Sequence, residues 1–585
     1  MAKKLIVTIV ALVSIVAMVL PGCTGGGGGG VSIPYRNDGI FVQETIGGPE
    51  TLDPAWSYDT ASGEQIDYVY ERLINYDGVK TDEFVPVLAT SLPTYNATAH
   101  TFRFTIRPGV KFHEGGNLTA EDVEYSFERA MIQDRSGGPL WMLYGPLVGT
   151  TGWSGNFTEV DQAVEAVGND VIFTLGGGDH WQIPFLQILC GGWASIVDKE
   201  WCISNGEWDG TPGDAENHHD PEATEDYLTD HMNGTGPWKL QEWDVGNDVT
   251  LVKNDDYWGD PAPFDYVITK QVEEWTDRKL DLQNGEADLV YVPRQYIDEL
   301  EGWTDLNVYK DLPSLLADAF FFNFAIDGNS TWMGSGALDG NGIPTDFFSD
   351  VDVRKGFNYA FDWDTYLNDI LMGEGKQLGS PVVEGLYGYN PNASKYSLNL
   401  TKAQEHLEAA WGGDVWDKGF KFTMLYNAGN DVRKAGCEIL KDNLFKINTK
   451  FQISVLPLDW GTGMVPELVT GRLTCFQIGW LADYPHADNF VVPFMTTYGA
   501  FSGFQSYGSP ALDAQIKAAF EETDPATQLD LYYALQEKYY EDAPGIMLAQ
   551  PTGRRYFTKY ISGFYFNPMI SGNPGPLYHM EKSES

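Results

Sequence analysis

Basic residues are scarce in this chain: Lys and Arg total 37 against 83 Asp and Glu, a formal charge of -46 over 585 residues. That imbalance opposes binding to nucleic acid or anionic lipid through a general electrostatic field. The acidity is spread along the chain, which fits a salt-tolerant, highly soluble surface and identifies no ligand by itself. Cysteine is also sparse. Beyond Cys23 there are Cys190, Cys202, Cys437 and Cys475, with no Cys-x-x-Cys, and their wide separation argues against a zinc site. Three pairings of those four are possible, and Cys190 with Cys202 is the expected one. After Leu20 no stretch is long and apolar enough to span a bilayer. The chain lacks a His-Glu-x-x-His helix, a P-loop and an intact Gly-x-Ser-x-Gly elbow; Gly152, Ser154 and Gly155 approach the last, but Asn156 takes the final glycine position. These absences weigh against a secreted hydrolase, the reading from another class.

What is present begins with a targeting segment. Lys3 and Lys4 precede an apolar run from Leu5 to Leu20, then Pro21, Gly22 and Cys23, the charged, apolar and small-residue order of a secretory signal. Residues 1–23 end like a lipobox with Cys23 as the lipidated residue, although Pro21 departs from that pattern. The alternative is a retained membrane anchor; both place the body outside the cytoplasm. Residues 24–31 form a glycine-rich tether. Length alone calls for two or three lobes, since one core stops growing near ~250–300 residues. Seven Asn-x-Ser/Thr sequons, from Asn96 to Asn399, matter only where the host glycosylates exported proteins.

The stretch Leu473 to Phe490, LTCFQIGWLADYPHADNF, alternates like a strand and then turns polar at Asp483. A strand ending in Trp480 and Asp483 presents an indole and a carboxylate at a sheet edge, where open α/β folds place ligands. An α-ammonium would suit Asp483; a carboxylate that merely caps a turn is the plainer alternative. Earlier, Gly39 to Thr45 predicts a strand entering the loop GGPETLDPAWSYDTAS, and Gln65 to Leu73 carries Ile66, Val69, Tyr70 and Leu73 at helical spacing. Phe102 to Ile106 alternates as a strand. In TFRFTIRPGVKFHEGGNLTAEDVEYSFERA, Thr101 to Ala130, Thr119 is a helix N-cap, Glu121 and Asp122 favour the positive helix start, and Val123, Phe127 and Ala130 form an apolar stripe.

That thirty-residue block closely resembles the signature of the peptide/nickel class of extracellular solute-binding proteins, the binding components of ABC importers for dipeptides and oligopeptides. NGTGPWKL from Asn233, NDDYWG from Asn254, LQNGEADL from Leu282, DVDVRKGFNYAFD from Asp350, the Trp480 to Asp483 loop and EDAPGI from Glu541 resemble later blocks of that family, in order. The resemblance implies an α/β fold, periplasmic-binding-protein-like type II, with two hinged lobes plus an extra domain inserted in the first. Carried onto this chain, lobe I takes residues 32–80, 233–312 and 511–585, the extra domain 81–232 and lobe II 313–510.

The resemblance also implies that Asp483 pairs with a peptide's free amino terminus and that Trp480 lines the cleft beside it. Tyr58 and Thr60 fall on the first ligand-facing loop, Trp141 where relatives present an aromatic, and Tyr291 where relatives run peptide-facing backbone. For these four, a packed aromatic or ordinary loop residue is the competing account. The implied partners are a peptide ligand, ABC permease subunits and the membrane through the N-terminus, with no nucleic acid, no cofactor and no metal. The 18 tryptophans and the 14% aromatic content also suit an oligosaccharide, which some family members bind. His218, His219 and His231 lie close together in an acidic, turn-rich segment, but histidines without fixed geometry seldom make a metal site.

Overall fold

The structure is a computed structural model that describes residues 31–37, 39–570 and 576–584. The apolar leader, Cys23 and all but the last residue of the tether lie outside the described residues. No described helix is long and apolar enough to cross a membrane.

Hydrogen bonding joins 12 strands into one sheet whose path runs from Phe451–Leu458 through Phe420–Asn427, Cys475–Leu481, Leu316–Phe322 and Gly545–Thr558 to Leu289–Val290, Ile40–Thr45, Tyr266–Gln271, Asp248–Lys253 and Trp238–Asp244. The two ends of that path are two lobes. In the second lobe, Phe420–Asn427 pairs in parallel with both Phe451–Leu458 and Cys475–Leu481. The central strand Leu316–Phe322, LADAFFF, is buried from Ala317 to Phe322, as expected of a strand covered on both faces. In the first lobe Ile40–Thr45 pairs in parallel with Tyr266–Gln271, Ile40 opposite Tyr266.

The 14-residue strand Gly545–Thr558 belongs to both lobes. Its start pairs with the second lobe, Gly545 opposite Phe321 and Ala549 opposite Asp318; its end pairs with the first, Phe557 opposite Leu289 and Thr558 opposite Leu306. Strand Leu306–Pro313 runs alongside and passes through Ser314 and Leu315 directly into Leu316–Phe322. The chain therefore crosses between lobes twice on adjacent antiparallel segments. The first crossing runs through Ser314 and Leu315. The second corrects the boundary expected at 511: helices Pro510–Glu521 and Pro525–Asp542 send Leu512, Ile516, Tyr532 and Tyr539 into the core that holds Phe321 and Phe476 of the second lobe. The return to the first lobe happens inside Gly545–Thr558, about forty residues later than 511.

A separate sheet of Thr94–Asn96, Thr101–Thr105, Asp170–Thr174 and Val164–Val167 packs under helix Ala120–Gln133. Thr119 caps that helix as expected and closes a capping box with Asp122. The insertion is not self-contained, since Cys202, Trp208 and Leu228 share a core with Phe41, Tyr68 and Val267 of the first lobe. Helix Thr60–Val69 starts earlier and stops sooner than Gln65 to Leu73 predicts. Asp59 caps it by accepting from the Ser62 amide, and at Tyr70 the backbone turns extended (φ -105°, ψ 158°), so Leu73 falls outside the helix and packs with Ile74 and Leu88.

The expected Cys190–Cys202 bridge is not formed. Both are buried free thiols in different cores, Cys190 with Phe185 and Ile188, Cys202 with Tyr125 and Trp208. Burial pushes both thiols well above their ordinary range, so they behave as small apolar side chains.

Candidate ligand-binding site

Strand Cys475–Leu481 ends where sheet pairing with Leu316 stops, and the next three residues turn away from the sheet. Asn489, at the start of helix Asp488–Met495, fixes that turn: its side-chain oxygen accepts from the Asp483 amide (2.9 Å) and its side-chain amide donates to Asp483 Oδ2 (2.9 Å). Its backbone oxygen accepts from Trp480 Nε1 at 2.8 Å, and the indole stands edge-on to Phe501, 5.6 Å between centroids at 88°. Trp480 thus braces the loop against the second-lobe core, and Asp483 is left projecting toward the first lobe.

Across the gap, the Tyr58 hydroxyl donates to Asp483 Oδ1 at 2.8 Å. The Trp141 indole lies beside the same Tyr58 side chain. Three expected residues from separate parts of the chain, Asp483, Tyr58 and Trp141, therefore meet in one cluster, with Trp480 behind them. Thr60 opens helix Thr60–Val69 and is exposed; Tyr291 is exposed too, its backbone oxygen accepting from Arg278 Nε at 2.9 Å. Neither Thr60 nor Tyr291 hydrogen-bonds the Asp483 cluster among the described residues.

Asp483 borders a cavity of about 30 Å³, enough for a water or two, lined also by Asp67, Arg72, Gln187, Trp193 and Met569. Arg72 is committed elsewhere, to Asp67 and, through Nε, to the Gly191 carbonyl at 3.1 Å. Met569 packs against the cores of both the inserted domain and the second lobe. Burial lifts the Asp483 carboxyl from 3.8 to about 6, with the hydrogen bonds from Asn489 and Tyr58 opposing the rise. All its described hydrogen-bond partners are neutral donors. Its charge is desolvated without a cation to offset it, a condition that favours an incoming ammonium.

Sequence reasoning missed Asn489, Gln187 and Met569. Asn489 lies inside the quoted Leu473 to Phe490 stretch, and its Asx chemistry six residues after Asp483 was an available signal. Gln187 and Met569 sit in segments with no motif, and only folding brings them to the cavity.

The three histidines of the acidic segment do not converge. His218 pairs with Asp214 at 3.0 Å, His219 hydrogen-bonds the Ile132 carbonyl, and His231 stacks on Tyr227 at 4.0 Å. Two of the acidic trio Asp122, Asp198 and Glu200 are spoken for: Asp122 and Asp198 accept from the Lys199 and Trp201 amides.

The sequence profile of bacterial extracellular solute-binding proteins, family 5, matches residues 83–502. The chain belongs to that family. It is 26% identical over 529 residues to the probable D,D-dipeptide-binding periplasmic protein DdpA of Escherichia coli, covering 89% of this chain and 90% of that one. Its fold matches DppA from Helicobacter pylori in complex with the peptide STSA, TM-score 0.72 at 23% identity, over 93% of this chain and 98% of the other. It also matches the oligopeptide-binding protein AppA from Bacillus subtilis in complex with a nonapeptide, TM-score 0.71 at 21% identity, over 93% and 99%. The fold is that of type II periplasmic binding proteins, a mixed α/β architecture of two lobes.

Proposed function

We propose that this solute-binding protein captures a peptide by its free amino terminus between the two lobes and passes it, chemically unchanged, to the permease of an ABC importer. Asp483 is the anchor. The observation that carries the reading is a partly buried carboxylate at the lobe interface, oriented by Asn489 from one lobe and met by Tyr58 from the other, with no cation among its hydrogen-bond partners in the described residues. A ligand ammonium placed there exchanges a neutral hydroxyl partner for a charged one, and closure of the lobes strengthens that bond by excluding water. The D,D-dipeptide for which DdpA is named and the peptides bound to DppA and AppA support the same reading. We place the protein outside the cytoplasm, lipid-anchored through Cys23, with residues 24–31 as tether.

Calorimetry of the purified full chain tests this with trialanine and N-acetyl-trialanine. Trialanine is expected to bind and its acetylated form to fail, because acetylation removes the charge that Asp483 needs. Equal affinity for the two would refute the amine anchor.

A further inference from the structure

A second and larger space adjoins the anchor. Gln187 and Pro485 line a chamber of about 640 Å³, and Gln187 also lines the small cavity at Asp483, so the two spaces share a wall. The volume falls within the ~300–1,000 Å³ of small-molecule sites. Residues Asp179 to Gln187 of the inserted domain form one side; His486 and the turn from Glu522 to Gln528 of the second lobe form the other.

The chamber is built of acceptors. Asp82, Asp179 and Glu522 line it, and no lysine or arginine does among the described residues. Lys517, close to the chamber's His180, is held by Glu521 at 2.6 Å. Asp179 accepts from Tyr95 and meets His100 Nδ1 at 2.7 Å, while Glu522 uses Oε1 for the Thr523 and Asp524 amides at 2.8 and 2.9 Å. Asp82 has neither a hydrogen bond nor an ion pair among the described residues and is exposed. An independent sign of a ligand is Gln187. Its side chain is only 3% exposed, its amide nitrogen reaches the Pro485 carbonyl at 3.5 Å, and its Oε1 is buried without a hydrogen-bond partner. A buried acceptor left unpaired costs about 1–3 kcal/mol unless a donor arrives. Tyr387, with its ring stacked 5.2 Å from His486, adds an aromatic face suited to a cation.

We propose that this chamber is a subsite for a cationic side chain, lysine or arginine, on a residue that follows the anchored amine. The assignment rests on the amine-anchor reading above and adds to it a substrate class: basic peptides in preference to acidic ones. The carboxylates attract the charge, a turn of the Gln187 side chain in the wall would bring its unpaired Oε1 to an N–H, and Tyr387 packs along the aliphatic stem.

The test uses the full chain in calorimetry with trialanine, with Ala-Lys-Ala and Ala-Ala-Lys, and with the two glutamate counterparts, all with free amino termini. Lysine peptides are expected to bind about tenfold more tightly than glutamate peptides at low salt, two exposed charge pairs being worth about that factor. The preference is expected to collapse in the double variant Asp82→Asn, Glu522→Gln, whose sites are not in the buried cores and whose folding circular dichroism checks. If trialanine binds through its amine but lysine and glutamate peptides bind alike at both positions, the subsite is refuted and the anchor stands. Loss of discrimination between trialanine and N-acetyl-trialanine refutes the anchor, and with it the subsite.

Discussion

Replacing Asp483 with asparagine is expected to weaken the ligand and strengthen the fold at once. Burial raises the Asp483 carboxyl from 3.8 to about 6. At ~1.4 kcal/mol per unit, keeping it ionised at neutral pH costs the folded protein about 3 kcal/mol. The sign is set by the direction of the shift: a carboxyl raised on folding destabilises above pH 6, and the penalty fades as pH falls from 6 toward 4. Asparagine removes the charge and still accepts from Tyr58. It cannot accept from the Asn489 amide through a second oxygen, which returns about 1 kcal/mol. The variant should gain about 2 kcal/mol at pH 7 and lose about 0.5 kcal/mol at pH 4, where the penalty has nearly gone and the missing hydrogen bond remains, read by urea denaturation. The same change removes the charge partner of the ligand amine, a loss of about 2–5 kcal/mol, or roughly thirty- to several-thousand-fold in Kd by calorimetry. For the native protein, affinity is expected to be full above pH 6 and to fall as pH drops through 6, because the ammonium binds only the ionised form. An Asp483→Asn protein that is less stable at pH 7 and binds trialanine as before would refute this reasoning.

Two further outcomes concern the frame. Arg129 is 2% exposed and holds Asp53 at 2.7 Å, Glu207 at 2.8 Å and Asp226 at 3.1 Å, so Arg129→Met, which strands three buried acids, should cost about 3–5 kcal/mol in urea denaturation at pH 7. Alkylation in denaturant without reductant, followed by peptide mass analysis, should label both Cys190 and Cys202; an intact peptide pair joined through them would overturn the free-thiol assignment.

The joint between the lobes is itself part of the sheet. The crossing segments are adjacent antiparallel strands, so the lobes are joined by a backbone ladder through Gly545–Thr558 rather than by loose linkers. Around it, Arg294 of the first lobe reaches Glu374 of the second, donates to the Thr552 carbonyl at 2.6 Å, and shares Glu374 with Arg554. Gly545 permits the close approach, since a Cβ there would lie 2.2 Å from the Phe320 carbonyl oxygen. Such a joint flexes by bending strands, which favours two rigid lobes opening and closing about a fixed edge.

The sequence by itself determined whatever is local. Thr119 and Asp122 specify their helix start three residues apart, and the alternation before Asp483 specifies a strand and the place where it ends. It also carried the family's blocks, and with them the fold class. Tertiary structure alone decided the rest. It assigned helices Pro510–Glu521 and Pro525–Asp542 to the second lobe, because their apolar faces are generic and only packing selects a partner. It kept Cys190 and Cys202 apart, because spacing along a chain says nothing of which core each thiol enters. And it brought Tyr58, Gln187 and Met569 to Asp483 over separations of 425, 296 and 86 residues, contacts that exist only once two lobes face each other.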